Sequence, residues 1–224
     1  MNKHIYKILP VLFVLFMTSC EQEDDTEGVS RITYYNDIEL IGDNVIVIKQ
    51  GTPYSEQGVI AFEGEEDVTA NVETSGSVDH TTTGFYEIQY DIVNKDGFAK
   101  NISRSVFVVP AVVSDLDVTG TYTGDVNTGV HKDVTNISKI ANGLFLSDDF
   151  FGGRYNIGKG YGKSYRLKTY FYINPDNTTY TALWSDSPWG PWGIVNTNIT
   201  GTTLSHKVEA SPGGFGFNVT LIKQ

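Results

Sequence analysis

The sequence predicts an all-β protein built as two consecutive modules: a β-sandwich, then a second antiparallel domain that is a barrel or a strongly curved sandwich. Three observations carry this. Apolar residues recur with period two, as where Tyr86, Ile88, Tyr90 and Ile92 alternate with Glu87, Gln89 and Asp91. Short apolar runs are separated throughout by Gly-, Asp-, Asn- and Pro-containing turns, and no amphipathic helix is apparent. Charge and aromatic content then shift near Val112. Residues 28–111 carry 5 basic and 13 acidic groups with nine aromatics, whereas residues 112–224 carry nine of each charge with sixteen aromatics. Beside the stretch Val109-Pro110-Ala111-Val112-Val113-Ser114-Asp115, that shift marks a domain boundary.

Composition narrows the function classes. A chain of 224 residues holds one or two domains, and 40% hydrophobic with 12% aromatic residues excludes wholesale disorder. The net charge of −11 argues against nucleic acid as a partner, since phosphates would be repelled. The lone cysteine excludes both a disulfide framework and a thiolate metal cluster.

The elements follow in chain order. Residues 1–19 open with Lys3, His4 and Lys7, and Ile8–Met17 is then apolar but for Pro10, too short to span a bilayer as a helix. This is the pattern of a secretory signal peptide, to be set aside from the fold. Met17-Thr18-Ser19-Cys20 follows, and small residues before a cysteine at this distance resemble the lipobox of bacterial lipoproteins. The resemblance implies acylation of Cys20, which becomes the first residue of the mature chain and attaches it to the membrane. Two or more acyl chains hold stably where one does not. Residues 20–30 then read as an acidic tether, with five acids among Glu21–Gly28 and no aromatic. An acidic stretch after the lipidated cysteine also resembles the export signal of Bacteroides-type surface lipoproteins, which implies an outer-membrane protein exposed at the cell surface.

Residues 31–111 form the sandwich. Strands are expected at Ile32–Tyr35, Asn44–Ile48, Val59–Phe62, Val68–Glu73 and Tyr86–Ile92, then a return strand from Phe98 to Val109. Asn94-Lys95-Asp96-Gly97 supplies the hairpin turn, with Gly97 at positive φ. Ile48-Lys49-Gln50-Gly51-Thr52-Pro53-Tyr54, Gln57-Gly58-Val59, Asp67-Val68-Thr69, Thr83-Gly84-Phe85-Tyr86 and Asp96-Gly97 occur in that order. Together they resemble the immunoglobulin-like (Ig-like) repeat of bacterial surface proteins. The resemblance implies an Ig-like spacer or adhesion module and transfers no catalytic residue.

Residues 112–224 begin with Val118-Thr119-Gly120-Thr121-Tyr122-Thr123-Gly124. Further strands are expected at Val134–Ile140, Gly143–Ser147, Tyr165–Ile173, Thr178–Trp184, Ile194–Ile199, Thr203–Val208 and Phe215–Ile222, with Asn174-Pro175-Asp176-Asn177 as a hairpin turn. The Gly120-x-Tyr122 opening and the apolar last strand are similar to the calycin-like barrels of outer-membrane lipoproteins. The arrangement also resembles C-terminal domains of uncharacterised Bacteroides-type surface lipoproteins.

Ligand chemistry concentrates in the second module. All three tryptophans fall within Trp184–Trp192, where Pro188, Gly190 and Pro191 rule out a regular helix. Tryptophan on such a loop is costly to expose unless the ring packs or binds something, and its face suits the C–H face of a sugar. Trp184, at a strand end, is assigned to packing. Trp189 and Trp192 are divided evenly between ligand binding and plugging the barrel. Asp186 and Ser187 could bond sugar hydroxyls, and Tyr155, Tyr161 and Tyr165 could line the same mouth. Other motifs read as structure. Gly158–Ser164 lacks the leading glycine of a phosphate loop and reads as a rim loop; Glu63–Asp67 is a solvated acidic turn, not an EF-hand. Asp148-Asp149 is a turn with apolar flanks, and His80, His131 and His206 have no metal-ligand spacing.

The expectation is therefore a non-enzymatic, lipid-anchored surface accessory protein that needs no metal or cofactor. Its Ig-like module acts as a spacer, and its aromatic-rich C-terminal domain captures glycan or another ligand. The alternative is a structural or adhesion protein whose partner is an envelope protein. A hydrolase comes last, because no catalytic constellation can be assembled.

Overall fold

The structure is a computed structural model that describes residues 32–126 and 133–224. Cys20, the leader, the whole of the tether and His131 lie outside the described residues. The chain is all-β, with a seven-stranded sandwich followed by an eight-stranded, nearly closed antiparallel sheet.

In the sandwich, β1 (Asn36–Leu40), β3 (Val59–Glu63) and β4 (Glu66–Asp67) form one sheet. The other is ordered β2 (Val45–Lys49), β7 (Ala99–Val109), β6 (Gly84–Val93), β5 (Glu73–Ser75), with β2 parallel to β7. The alternation in β6 does what period two requires: Ile88, Tyr90 and Ile92 are buried against Ile38, Val59 and Ala61 of the facing sheet. The Asn94–Gly97 turn forms as expected, with Gly97 at φ 88°. Two expectations fail. Residues 32–35 are irregular and the strand begins at Asn36; Val68–Glu73 is mostly a helical turn, Thr69–Asn71. In the second case Asp67 accepts the Thr69 N–H, and Thr69 Oγ1 accepts the Ala61 N–H, so local side-chain bonds displace a ladder.

The Gly51–Gly58 motif encloses the sandwich's most buried charge. Arg104 is fully buried; its Nε donates to Glu56 at 2.8 Å, and its other nitrogens donate to the carbonyls of Ile41, Asp43 and Gly58. Tyr54 donates to the same carboxylate, as does the Gly58 N–H. Burial opposes the charge on Glu56, but these donors and the guanidinium bring its pKa down to about 2. The tyrosine and glycine of the motif thus seat the partly buried carboxylate that pairs with a buried guanidinium.

The second sheet comprises β8 (Gly120–Val126), β9 (Val134–Ala141), β10 (Leu144–Ser147), β11 (Lys168–Ile173), β12 (Tyr180–Asp186), β13 (Gly193–Thr200), β14 (Thr203–Glu209) and β15 (Gly216–Lys223). Neighbours follow the order β12-β11-β10-β9-β8-β15-β14-β13, so the last strand pairs with the first and the sheet curls into an up-and-down barrel. The one seam without a ladder lies between the consecutive strands β12 and β13. Hydroxyls bridge it instead. Thr197 Oγ1 donates to Tyr180 O and accepts the Tyr180 N–H; near the other end Ser185 Oγ donates to Trp192 O and accepts the Trp192 N–H. The interior is a packed core that includes Tyr122, Phe145, Phe150, Phe171, Tyr180 and Leu204. At Gly124 on β8, an added Cβ would lie 2.6 Å from the Gly152 backbone, so the 148–167 segment crosses the sheet too closely for any side chain there. A third cluster joins the modules: Phe107 and Val109 of β7 pack with Leu144, Tyr170, Leu183 and Trp184.

Candidate functional site

The site is built on two loops at one end of the barrel. The first, between β10 and β11, is held by Asp149. Its buried carboxylate accepts the N–H groups of Phe151, Gly153 and Leu167 at 2.9–3.1 Å. Burial nevertheless pushes the Asp149 pKa up to about 6 against those donors. The anchored turn drops Phe150 and Phe151 into the barrel, where Phe150 lies 5.0 Å from Phe171 and 4.6 Å from the His206 ring. These two phenylalanines fill this end of the barrel. Past Gly153, at φ 85°, one π-helical turn (Arg154–Gly158) sets Tyr155 edge-on to Phe151 at 4.9 Å. The chain then carries Tyr161 and Tyr165 outward, 5.2 Å apart. The strand expected from Tyr165 begins only at Lys168, because Lys163–Tyr165 is a helical turn.

The second loop, residues 187–192, joins β12 to β13. Ser187 and Gly190 close it with reciprocal backbone bonds, Gly190 at φ 86°. The Ser187 hydroxyl donates to the Gly190 carbonyl, so it is engaged inside the turn. Trp189 sits against Tyr155 (4.6 Å) and Tyr165 (5.0 Å) and is 47% exposed. Trp192 is partly buried on the barrel core, edge-on to Phe151 at 4.9 Å. Trp192 thus lies inward on the core and Trp189 outward toward solvent. Tyr155, Tyr161, Tyr165, Trp189 and Trp192 thus form one continuous cluster, with Tyr161 52% exposed. Asp186 lies beside it, facing a groove of about 530 Å³ shared with Lys163, Ser164, Arg166 and Lys168.

Three members of the cluster escaped the sequence reading. Phe217 is 6.0 Å from Tyr155, Phe215 is 6.2 Å from Trp192, and Arg154 lies over the Phe217 ring at 4.4 Å. Phe215 and Phe217 lie some 60 residues beyond Tyr155, and only the β8–β15 closure brings them near. The Phe-Gly-Phe spacing was a signal, but it gave no direction.

The remaining residues are structural. Asp148 and Asp149 do not face one another across a cleft: Asp149 is buried, and Asp148 pairs with Arg166, which also binds Asp133 at 2.8 Å. His206 is buried on β14. Its Nε2 lies 2.8 Å from the Phe150 carbonyl, which requires a proton there, and Nδ1 then accepts from the Tyr180 hydroxyl at 2.7 Å. Burial lowers its pKa to about 4. Trp184 lies within β12, two residues before its end, and packs against Phe85 and Tyr170. Glu63–Asp67 forms the β3–β4 hairpin, and Glu66 pairs with Lys95. Among the described residues, no group of three His, Cys, Asp or Glu is placed to hold a metal ion.

The model of the bacterial surface protein Ig-like domain matches residues 38–108, and that of a BT2262-like C-terminal domain matches residues 113–223. Among solved structures, the lipoprotein BT2262 from Bacteroides thetaiotaomicron is 32% identical over 85% of this chain and 100% of that one, with a TM-score of 0.45. Two structures from Clostridium perfringens ZmpB are each 13% identical with a TM-score of 0.31. One, of CBM51-2 in complex with GlcNAc and INT domains, aligns over 84% of this chain and 43% of its own. The other, of the M60 catalytic domain with CBM51-1 and CBM51-2, aligns over 86% and 21%. At that score the likeness carries no argument about function. No curated protein matches the chain.

Proposed function

Because the chain belongs to the family of the Bacteroides lipoprotein BT2262, with a bacterial surface Ig-like module ahead of a BT2262-like domain, we propose that it is a non-catalytic surface accessory protein that binds glycan. In this reading Cys20 is acylated and the acidic segment 20–30 leads away from the outer membrane. The Ig-like sandwich spaces the barrel from the lipid, and the barrel's aromatic end meets the ligand.

The observation that supports it is the exposed face of Trp189 beside Tyr161, both about half accessible and both braced by rings behind them. A tryptophan fixed by its neighbours loses little entropy on binding and offers a flat apolar face to the C–H side of a sugar ring. Asp186 and the adjoining groove supply polar groups for hydroxyls.

Affinity electrophoresis through gels containing different polysaccharides tests the ligand class. The wild type should be retarded by at least one, and a Trp189→Ala/Tyr161→Ala variant should migrate freely. Identical mobility of the two proteins in every gel would count against the reading. For the anchor, membrane-fraction protein should carry an acylated N-terminal Cys20, and Cys20→Ser should release it.

A further inference from the structure

The segment that carries Tyr155, Tyr161 and Tyr165 also carries Arg154, Lys159, Lys163, Arg166 and Lys168. These are five of the nine cations of residues 112–224, and no carboxylate occurs between Phe150 and Pro175. In a domain of zero net charge this is a local concentration of positive charge, laid along the aromatic rim. Arg166 is committed to Asp133 and Asp148.

Arg154 is not. Its guanidinium lies 4.4 Å from the centre of the Phe217 ring and 5.8 Å from those of Tyr155 and Phe215. Its Nε is buried without an acceptor, and among the described residues no carboxylate pairs with it. The rings hold the planar fork through cation–π contact and limit its freedom without neutralising it. A guanidinium fixed this way is prepared for a bidentate contact to a carboxylate or sulfate. Tyr155 links it to the ligand platform, because the same ring that touches Arg154 lies 4.6 Å from Trp189.

We infer that the glycan taken at this end of the barrel is acidic, a uronic acid or sulfated saccharide. Its ring stacks on Trp189, and its anionic group is received by Arg154, with Lys159 and Lys163 adding attraction at longer range. This rests on the glycan-binding reading above and narrows it to a ligand class.

The test is affinity electrophoresis of the full mature chain through polygalacturonate, chondroitin sulfate, dextran and xylan, with a single-stranded DNA oligomer as a further anionic probe. Wild type, Arg154→Met, Arg154→Lys and Trp189→Ala are compared after thermal melts confirm folding. Methionine keeps the apolar stem over Phe217 while removing the charge. The expected result is retardation by one or both acidic polysaccharides but not by dextran or xylan, weakening as salt rises. Arg154→Met should raise the dissociation constant about ten- to a hundredfold, the loss of a charge-assisted contact. Arg154→Lys should fall between, because the charge remains but the fork is gone. Retardation by the neutral polymers alone, or unchanged acidic binding in folded Arg154→Met, would overturn the inference and leave glycan binding standing. Retardation by the DNA oligomer but by no polysaccharide, or by nothing at all, would overturn both.

Discussion

Trp184 and Trp189 are five residues apart and have opposite fates. Trp184 is carried by β12 into the cluster that joins the two modules, with Phe85 of the sandwich at 5.9 Å and Tyr170 of the barrel at 5.7 Å. Trp189 is carried by a turn bounded by two prolines. It rests on the rings of its own domain and leaves nearly half its surface to solvent. The difference lies in the backbone beneath the rings. A strand fixes each side chain's direction and presses it on whatever surface lies opposite, here a second module. A closed turn holds a ring only through neighbouring rings, so one face can remain uncovered. Removing a ring should therefore hurt stability in the first region and ligand capture in the second.

The largest effect should come from the inter-module cluster. Phe107→Ala empties a fully buried site between Phe85 and Tyr170 and should lower unfolding free energy by about 3–5 kcal/mol in urea titration. Trp184→Ala, at a partly buried ring, should fall at the lower end of that range, about 3 kcal/mol. If either variant melts like wild type, the joint between the modules is not packed as described.

Next comes the protonation of the barrel interior. The His206 pKa falls to about 4 in the fold against an ordinary 6.5, so between these values the unfolded chain binds more protons and stability drops as pH falls. The full difference is about 3 kcal/mol at pH 4 and absent above pH 7. Asp149 acts oppositely. Its folded pKa of about 6 exceeds the ordinary 3.8, so it favours the fold as pH drops through that window. Denaturation measured from pH 7 to pH 4 should therefore slope little in the wild type. It should gain stability on acidification in His206→Gln and lose it in Asp149→Asn, each relative to its own value at pH 7. Smaller again is Gly124→Ala, whose methyl group meets the Gly152 backbone and should cost about 1–3 kcal/mol.

What the sequence made legible follows the same division. Both modules could be read, because period-two alternation and turn residues are local signals: eight strands were expected after Val112, and eight form. The Asn94–Gly97 and Asn174–Asn177 turns could be read for the same reason. The Thr69–Asn71 turn was hidden because Asp67 and Thr69 recruit backbone groups that an apolar run would give to a ladder. In the site, the tyrosines and Trp189 were visible as residue types that loops seldom expose without cause. Arg154, Phe215 and Phe217 were not, because their meeting depends on β15 pairing with β8, a contact between chain positions about 95 residues apart.

The smallest expected stability change is the most informative. Trp189→Ala removes a ring that packs on Tyr155 and Tyr165 from the solvent side and should shift unfolding free energy by no more than about 1 kcal/mol. Trp192→Ala removes one wedged edge-on against Phe151 and partly buried on the core, and should cost about 2–3 kcal/mol. The pair separates two readings that residue type alone leaves equal. If urea titration gives both variants the same small loss, Trp192 is as dispensable to packing as Trp189 and the presented surface is wider than one ring. If both show the same large loss, the turn is part of the core and Trp189 is no platform. Only a split, with stability following Trp192 and ligand retention following Trp189, fits a rim whose inner ring is structural and whose outer ring is free to bind.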